Sequence, residues 1–445
     1  MKVLFFTPAV RTSAIGRMSR LVVRALMQQG HSVTVVRTEI ENGDANNVHD
    51  FGTCIVCWDQ IAIVDELSRT ADCAVYQVGN SYQFHKGCLD WLPRLPGIVC
   101  LHDFFLGHLF LEWMEEHGRG AGAEVLRSWY GETIATDYFS FKSSEEFIER
   151  SRIVAPLTEW VASMATAVIT HSNWGIERVL NACPGPVLVA ALPYDKPCDA
   201  ISSAYMMSQA LRPHRMNILT IGHINKNKRV ENIIRAIASS DELRAVISYR
   251  LAGRIEDRVA LALGGLAAKL GVDLHILGEV DQSTLASEME EAQIMCCLRI
   301  PVLEAASAST IESMLLGKCT LVTDDGFYRQ LPDACVVKVA ADQEEENIRS
   351  ALLRLNANRD LIDEIGQRAR LYAEVTFSPE KYAAHMYEIW RKVIDAQPNS
   401  AAVSRIAKVL SGWGSLRSPD LLSHISEPIA MFGSSCRLAN ASDLR

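Results

Sequence analysis

The 445-residue chain is 49% hydrophobic and 22% charged, which is too long for one ordinary domain and apolar enough for two buried cores. A formal net charge of −9 excludes a protein whose main partner is nucleic acid, because a phosphate backbone needs a basic face. No uninterrupted apolar run reaches the roughly 18 residues of a membrane-spanning helix.

In chain order, Val3 to Phe6 runs into Thr7-Pro8; it is too short for a signal peptide and is expected to be a first buried strand. A helix is expected near 17–29, with Met18, Leu21, Val22, Ala25 and Leu26 on one face and Gly30 as its stop. Strands follow at 31–37, 54–58, 74–78 and 98–101, then a long helical region broken around Ser143, then a strand at 167–170. Ser172 is placed to cap a helix over 173–180. The Pro-rich stretch from Pro184 and the polar passage to Arg215 read as a linker. The alternation resumes with strands at 217–221, 249–252, 274–277, 294–298 and 320–322, separated by helices at 230–238, 258–270, 282–292 and 310–316.

This pattern predicts an α/β protein with two Rossmann-like domains, each on a parallel sheet, facing each other across a cleft. The expected boundaries are 1–195 for the first domain, 196–215 for the linker and 216–378 for the second domain. A helix at 379–397 is expected to pack back on the first domain, and the Ser- and Ala-rich tail at 398–445 loses periodicity. The twelve cysteines are scattered, several within apolar runs, and read as reduced residues of a cytoplasmic protein. Cys54-x-x-Cys57 has zinc or redox spacing, but no second pair follows and its flanks read as strand.

Ligands of open parallel sheets bind beyond the carboxyl ends of strands. Three such loops in the second half carry polar residues. The first, Gly222 to Arg229, combines a glycine with Lys226, Lys228 and Arg229, a charge pattern suited to a diphosphate or to a solvated surface loop. The second runs from Arg299 through Glu304 and Ser307 to Ser309, then into Thr310 and Glu312. Ser309-x-x-Glu312 fits a capping box, and amides at this helix start could hold phosphate. The third is Thr323 to Gly326.

Together these residues resemble the C-terminal domain of retaining GT-B glycosyltransferases of the group 1, glycogen-synthase and mannosyltransferase type. The matching features are Gly222-His223, Lys228, Glu304-x7-Glu312 and Gly317-Lys318, and the resemblance extends over roughly residues 1–395. It implies a hexosyltransferase-like enzyme of glycan or glycoconjugate synthesis, acting with retention, with a nucleotide diphosphate-sugar as co-substrate and no metal. Its implied acceptor is a glycan, a lipid-linked sugar or a small molecule, with peripheral contact to the inner face of a membrane left open. Lys228 would grip the diphosphate with Arg229, Glu304 would contact the transferred sugar, and Glu312 would hold the ribose. Ser307, Ser309 and Thr310 would assist at the donor. His223 stands where arginine is usual, and Ala305 to Ala308 where glycine is usual. In the first half the resemblance places Gly16 over the diphosphate and His102 against the donor sugar. His85 and His171 also follow strands or loops. A nicotinamide enzyme is opposed by Thr7-Pro8-Ala9, which is no glycine fingerprint. A sugar-nucleotide epimerase and a scaffold without turnover share the expected fold.

Overall fold

The computed structural model describes residues 1–40, 47–196 and 215–412, with side chains described as far as residue 396. The chain divides into two units, Met1–Ala191 with Glu380–Arg445, and Leu192–Pro379. Most of the expected linker, residues 197–214, and the tail from 413 onward lie outside the described residues.

The first unit holds a parallel sheet of β1 (Lys2–Thr7), β2 (Ser32–Arg37), β3 (Ile55–Cys57), β4 (Cys73–Val78), β5 (Ile98–Leu101), β6 (Ala167–Thr170) and β7 (Val187–Val189), in the order β3-β2-β1-β4-β5-β6-β7. Strands covered on both faces need apolar residues at consecutive positions, and Val3, Leu4, Phe5 and Phe6 are all buried. The helix Ala14–Gln28 begins three residues before its expected start because Ser13 takes the N-cap, its side chain accepting from Gly16 N at 3.1 Å. The strand β7 lies in the stretch read from its prolines as linker; at three residues it is too short to show a period. Ser172 does not cap the following helix, which spans Ile176–Ala182 after Gly175 turns through a φ of 72°. The Ser172 hydroxyl is instead buried with no hydrogen-bond partner among the described residues.

The second unit holds β8 (Met216–Ile221), β9 (Ile247–Ala252), β10 (Asp273–Gly278), β11 (Ile294–Cys297), β12 (Cys319–Thr323) and β13 (Val337–Val339), in the order β10-β9-β8-β11-β12-β13. Helices Val230–Ala238 and Glu344–Ala357 bury Ile233, Ile234, Ile348 and Leu352 in one core with Tyr249 and Leu321. Each such aliphatic side chain contributes about 2 kcal/mol by leaving water.

The last described helix runs Pro379–Gly412, past the expected end at 397. Pro398 within it removes one backbone bond, at about 3 kcal/mol, from a helix many turns long. The helix's first turns pack within the first unit: Tyr382 lies 5.8 Å from His171 and Tyr387 stacks on His31 at 5.4 Å. In each sheet the strand order reverses once, at β1/β4 and at β8/β11. Carboxyl-end crevices at such reversals are where ligands of this architecture bind.

Candidate functional site

Beyond β8 the backbone turns at Gly222 with a φ of 85°, a conformation that L side chains rarely adopt. A Cβ there would also stand 2.9 Å from Lys228 Nζ. The following loop forms a single turn at Lys226–Lys228, started by Asn225, whose side chain accepts from Asn227 N at 3.1 Å. This turn folds the Lys228 side chain back under the strand end, where Nζ donates to Ile221 O and only 6% of the residue stays exposed. Burial foremost, then repulsion from Arg299, pushes the Lys228 ammonium down to about 7; Cys297 and Glu304 oppose that. It is a cation held at the edge of neutrality.

The loop after β11 is laced to this turn. Ile300 N donates to Asn227 O at 3.1 Å, and Asn227 Nδ2 donates to Pro301 O at 2.7 Å. Arg299 is anchored by its backbone N on Thr323 Oγ1 at 2.9 Å and by Nη1 on Leu298 O at 2.8 Å. Its Nε lies 3.4 Å from Glu304 Oε1, which also accepts from Tyr328 OH at 2.6 Å. Lys228, Arg299 and Glu304 therefore meet at the β8/β11 reversal, with Tyr328 behind Glu304. Burial and the adjacent Glu304 charge hold the Tyr328 phenol well above its ordinary range, so it stays a donor. Ala305 and Ala306 beyond Glu304 are buried.

The next helix spans Ala308–Leu315 with Ser307, not Ser309, at the N-cap. The expected capping box is absent because the helix starts two residues early, which leaves Glu312 in its second turn, buried. Ser307 makes no side-chain cap. Its hydroxyl accepts instead from Thr310 Oγ1 and lies against Ser309 Oγ, each at 3.2 Å. First-turn amides thus keep no side-chain acceptor, a favourable setting for an anion.

Two expected donor residues stand elsewhere. His223 is exposed. Arg229, left-handed at a φ of 58°, turns to Glu344, donating through Nε at 2.9 Å and Nη2 at 2.6 Å. Asn232 Nδ2 completes that cluster at 2.7 Å from the same carboxylate. Arg229 charge is thereby committed to a buried glutamate, and Arg299 is the cation that joins Lys228. Gly253 was also missed: at a φ of 140°, a Cβ there would collide with Gly222 O. Its signal was a glycine directly after a strand, as at Gly222.

In the first unit, His102 follows β5, and its Nε2 lies 2.7 Å from Gln77 Oε1. The ring packs at 4.8 Å against His171, and burial holds His102 well below its ordinary value, hence neutral. His85 is buried nearby and likewise pushed down, to about 3. Beside it, Asp103 Oδ2 accepts from Asn80 N at 2.8 Å, and Asn80 Oδ1 accepts from His108 N at 2.9 Å and Leu109 N at 3.1 Å. Gly16 sits in the first helical turn rather than in the loop before it. A Cβ there would lie 2.6 Å from Pro8 O, so glycine lets the helix approach the end of β1. Among the described residues no group of three His, Cys, Asp or Glu side chains is placed to hold a metal ion, and Cys54 and Cys57 are not bridged.

Residues 206–372 match the profile of the family described as glycosyl transferases group 1. No curated protein matches the chain in sequence. Among solved structures, the fold is similar to sucrose-phosphate synthase from Thermosynechococcus elongatus, with a TM-score of 0.62 and 13% identity over 89% of this chain and 100% of that one. It is similar to the Anabaena protein HepE, solved in complex with UDP and glucose, with a TM-score of 0.60 and 14% identity over 87% of this chain and 98% of that one. A third likeness is to WaaG, a glycosyltransferase involved in lipopolysaccharide biosynthesis, with a TM-score of 0.54 and 16% identity over 86% and 98% of the two chains. The architecture is that of GT-B glycosyltransferases, two α/β units each on a parallel sheet. The profile match lies within the second unit, and the structural likeness is one of fold.

Proposed function

We propose that this chain transfers a hexose-type sugar from a nucleotide diphosphate donor to an acceptor, with retention, in glycan or glycoconjugate synthesis. The observation that carries the reading is Lys228, buried under Gly222 at the β8/β11 reversal, inside the segment that matches the family profile. The chemistry asks for a stabilised leaving diphosphate and a held sugar more than for a covalent nucleophile. Lys228 supplies charge to the leaving group, and a diphosphate returns that ammonium to its protonated form by attraction. The uncapped amides at Ala308 to Thr310 support a phosphate oxygen, Glu312 orients the nucleoside, and Glu304 faces the sugar. His102, neutral, offers a hydrogen bond to a sugar hydroxyl. These side chains take the charge-neutralising role, so the reading calls for no metal.

The bound nucleotide in HepE makes UDP the first donor to try. Thermal unfolding against UDP-, GDP-, ADP- and dTDP-sugars is expected to show stabilisation by one base, about 2.7 kcal/mol at a hundredfold excess over Kd. That stabilisation is expected to vanish in Lys228→Ala. Nucleotide release that requires an added acceptor then identifies transfer; release without acceptor would point to an epimerase. A second reading, a scaffold that binds without turnover, is favoured by the engagement of Glu304 with Tyr328 and Arg299. No stabilisation by any donor at millimolar concentration would favour it. Among the described residues no helix is long and apolar enough to cross a membrane. A lipid-linked acceptor analogue belongs in the acceptor screen beside glycans.

A further inference from the structure

We infer that Arg299 is a second, permanently charged ligand for the departing diphosphate, acting from the end of β11 across the reversal from Lys228. This rests on the donor reading above and goes beyond it by naming a residue outside the loop that carries Lys228.

Four observations converge on it. First, Arg299 directly follows β11 after Leu298, on the strand hydrogen-bonded to β8, and two contacts between Asn227 and the Ile300-Pro301 pair hold the loops together. Second, its guanidinium is pre-positioned: Nη1 is on Leu298 O, Nε faces Glu304, and the backbone is pinned to Thr323. Third, Nη2 has no hydrogen-bond partner among the described residues, and it is not sealed from solvent. An ordered guanidinium with an unused fork edge is the geometry that suits phosphate oxygens. Fourth, the neighbouring Arg229 is bound to Glu344, and His223 is exposed.

There is also a physical need for it. A nucleoside diphosphate carries more than one negative charge, while Lys228, held down to about 7 by burial, is only partly protonated at neutral pH. Arginine does not lose its proton in this range, so it keeps a full positive charge at the site whatever the protonation state of Lys228. Glu304, tied to Tyr328, offsets the Arg299 charge and limits the repulsion between the two cations.

The alternative is that Arg299 only holds the Glu304 loop in shape, and affinity by ligand charge separates the two. Calorimetric Kd values would be measured for UDP, GDP, ADP and dTDP, each against its own nucleoside, with wild type, R299Q and R299K. For the base that binds, R299Q is expected to lose about tenfold or more in diphosphate affinity. Its nucleoside affinity should stay within about twofold of wild type, and R299K should fall between. Equal losses for diphosphate and nucleoside, or an unchanged diphosphate Kd, would overturn the assignment. If R299Q does not fold, R299K carries the test: a loss of severalfold confined to the diphosphate supports the inference, and a loss shared by the nucleoside refutes it. A wild type that binds none of the four diphosphates overturns the donor reading itself, and this inference with it.

Discussion

Replacing Lys228 by methionine keeps the length of the side chain and removes its charge. The folded chain holds the Lys228 ammonium at about 7 against an ordinary 10.5, so folding works against the proton. With the folded value lowered, the unfolded chain binds more protons between the two values. The resulting cost is fully present below about pH 7 and fades as pH rises toward the unfolded value. Linkage between those two values makes the cost about 2 kcal/mol smaller at pH 8.5 than at pH 6. For a unit of this size that corresponds to roughly 4–8 °C in Tm. Lys228→Met is therefore expected to raise the Tm of the second unit at pH 6, and the difference from wild type is expected to shrink by that amount at pH 8.5. The lost donor to Ile221 O lowers both values equally and leaves the pH trend intact. Calorimetric unfolding at the two pH values, with and without UDP, reads both effects, and only wild type should be stabilised by the nucleotide. A difference in Tm that does not change with pH would refute the reasoning, because the ammonium would then be no burden to the folded chain.

Other outcomes follow from the same contacts. Glu344→Ala strands the Arg229 guanidinium beside a left-handed backbone and is expected to cost about 3 kcal/mol in urea unfolding, well above an exposed pair such as Arg235–Glu231. Gly253→Ala should lose the nucleotide-induced Tm shift together with stability, since its methyl group meets Gly222 O; an unchanged shift would show that β9 plays no part in shaping the loop. His85 and His171, held down to about 3 and 4 by burial, must charge in acid. With folded values lowered, stability is full above the ordinary 6.5 and falls as pH drops through it, by about 2 kcal/mol per histidine at pH 5. His171→Gln should flatten part of that slope in pH-dependent melts. Tyr328→Phe removes a donor to Glu304 and is expected to cost about 1–2 kcal/mol and to raise the KM for donor.

The strands buried on both faces were legible because each is a continuous apolar run; β6 appears at its expected residues, and β8 and β11 within a residue of theirs. Of the three-residue strands, β3 was legible within 54–58, whereas β7, set between Pro186 and Pro193, and β13 were not. The start of the helix at Ala308 was misjudged for a different reason. Ser307 and Ser309 are equally good caps by composition, and only the backbone decides between them. At the candidate site, the Gly222 turn and Lys228 are eight residues or fewer from a strand end, so local spacing exposes them. Arg299 carried no local mark, because what singles it out comes from Thr323, Glu304 and the Asn227 loop, up to 72 positions away. The fate of Arg229 was likewise unreadable, since its partner Glu344 lies 115 positions along the chain.

The chain leaves the first unit after Ala191 and returns to it at Glu380, so the second unit is an insertion within the first. On a ribosome, residues 192–379 are therefore complete and free to fold while the first unit still lacks the helix that carries Tyr382 and Tyr387. Until that helix emerges, the places it covers near His31, Cys100 and His171 remain open to water and to other chains. The order of synthesis thus makes the inserted half the early folder and the enclosing half the late one. A released chain that ends at residue 379 should already resist protease across the inserted half while the enclosing half is still cut.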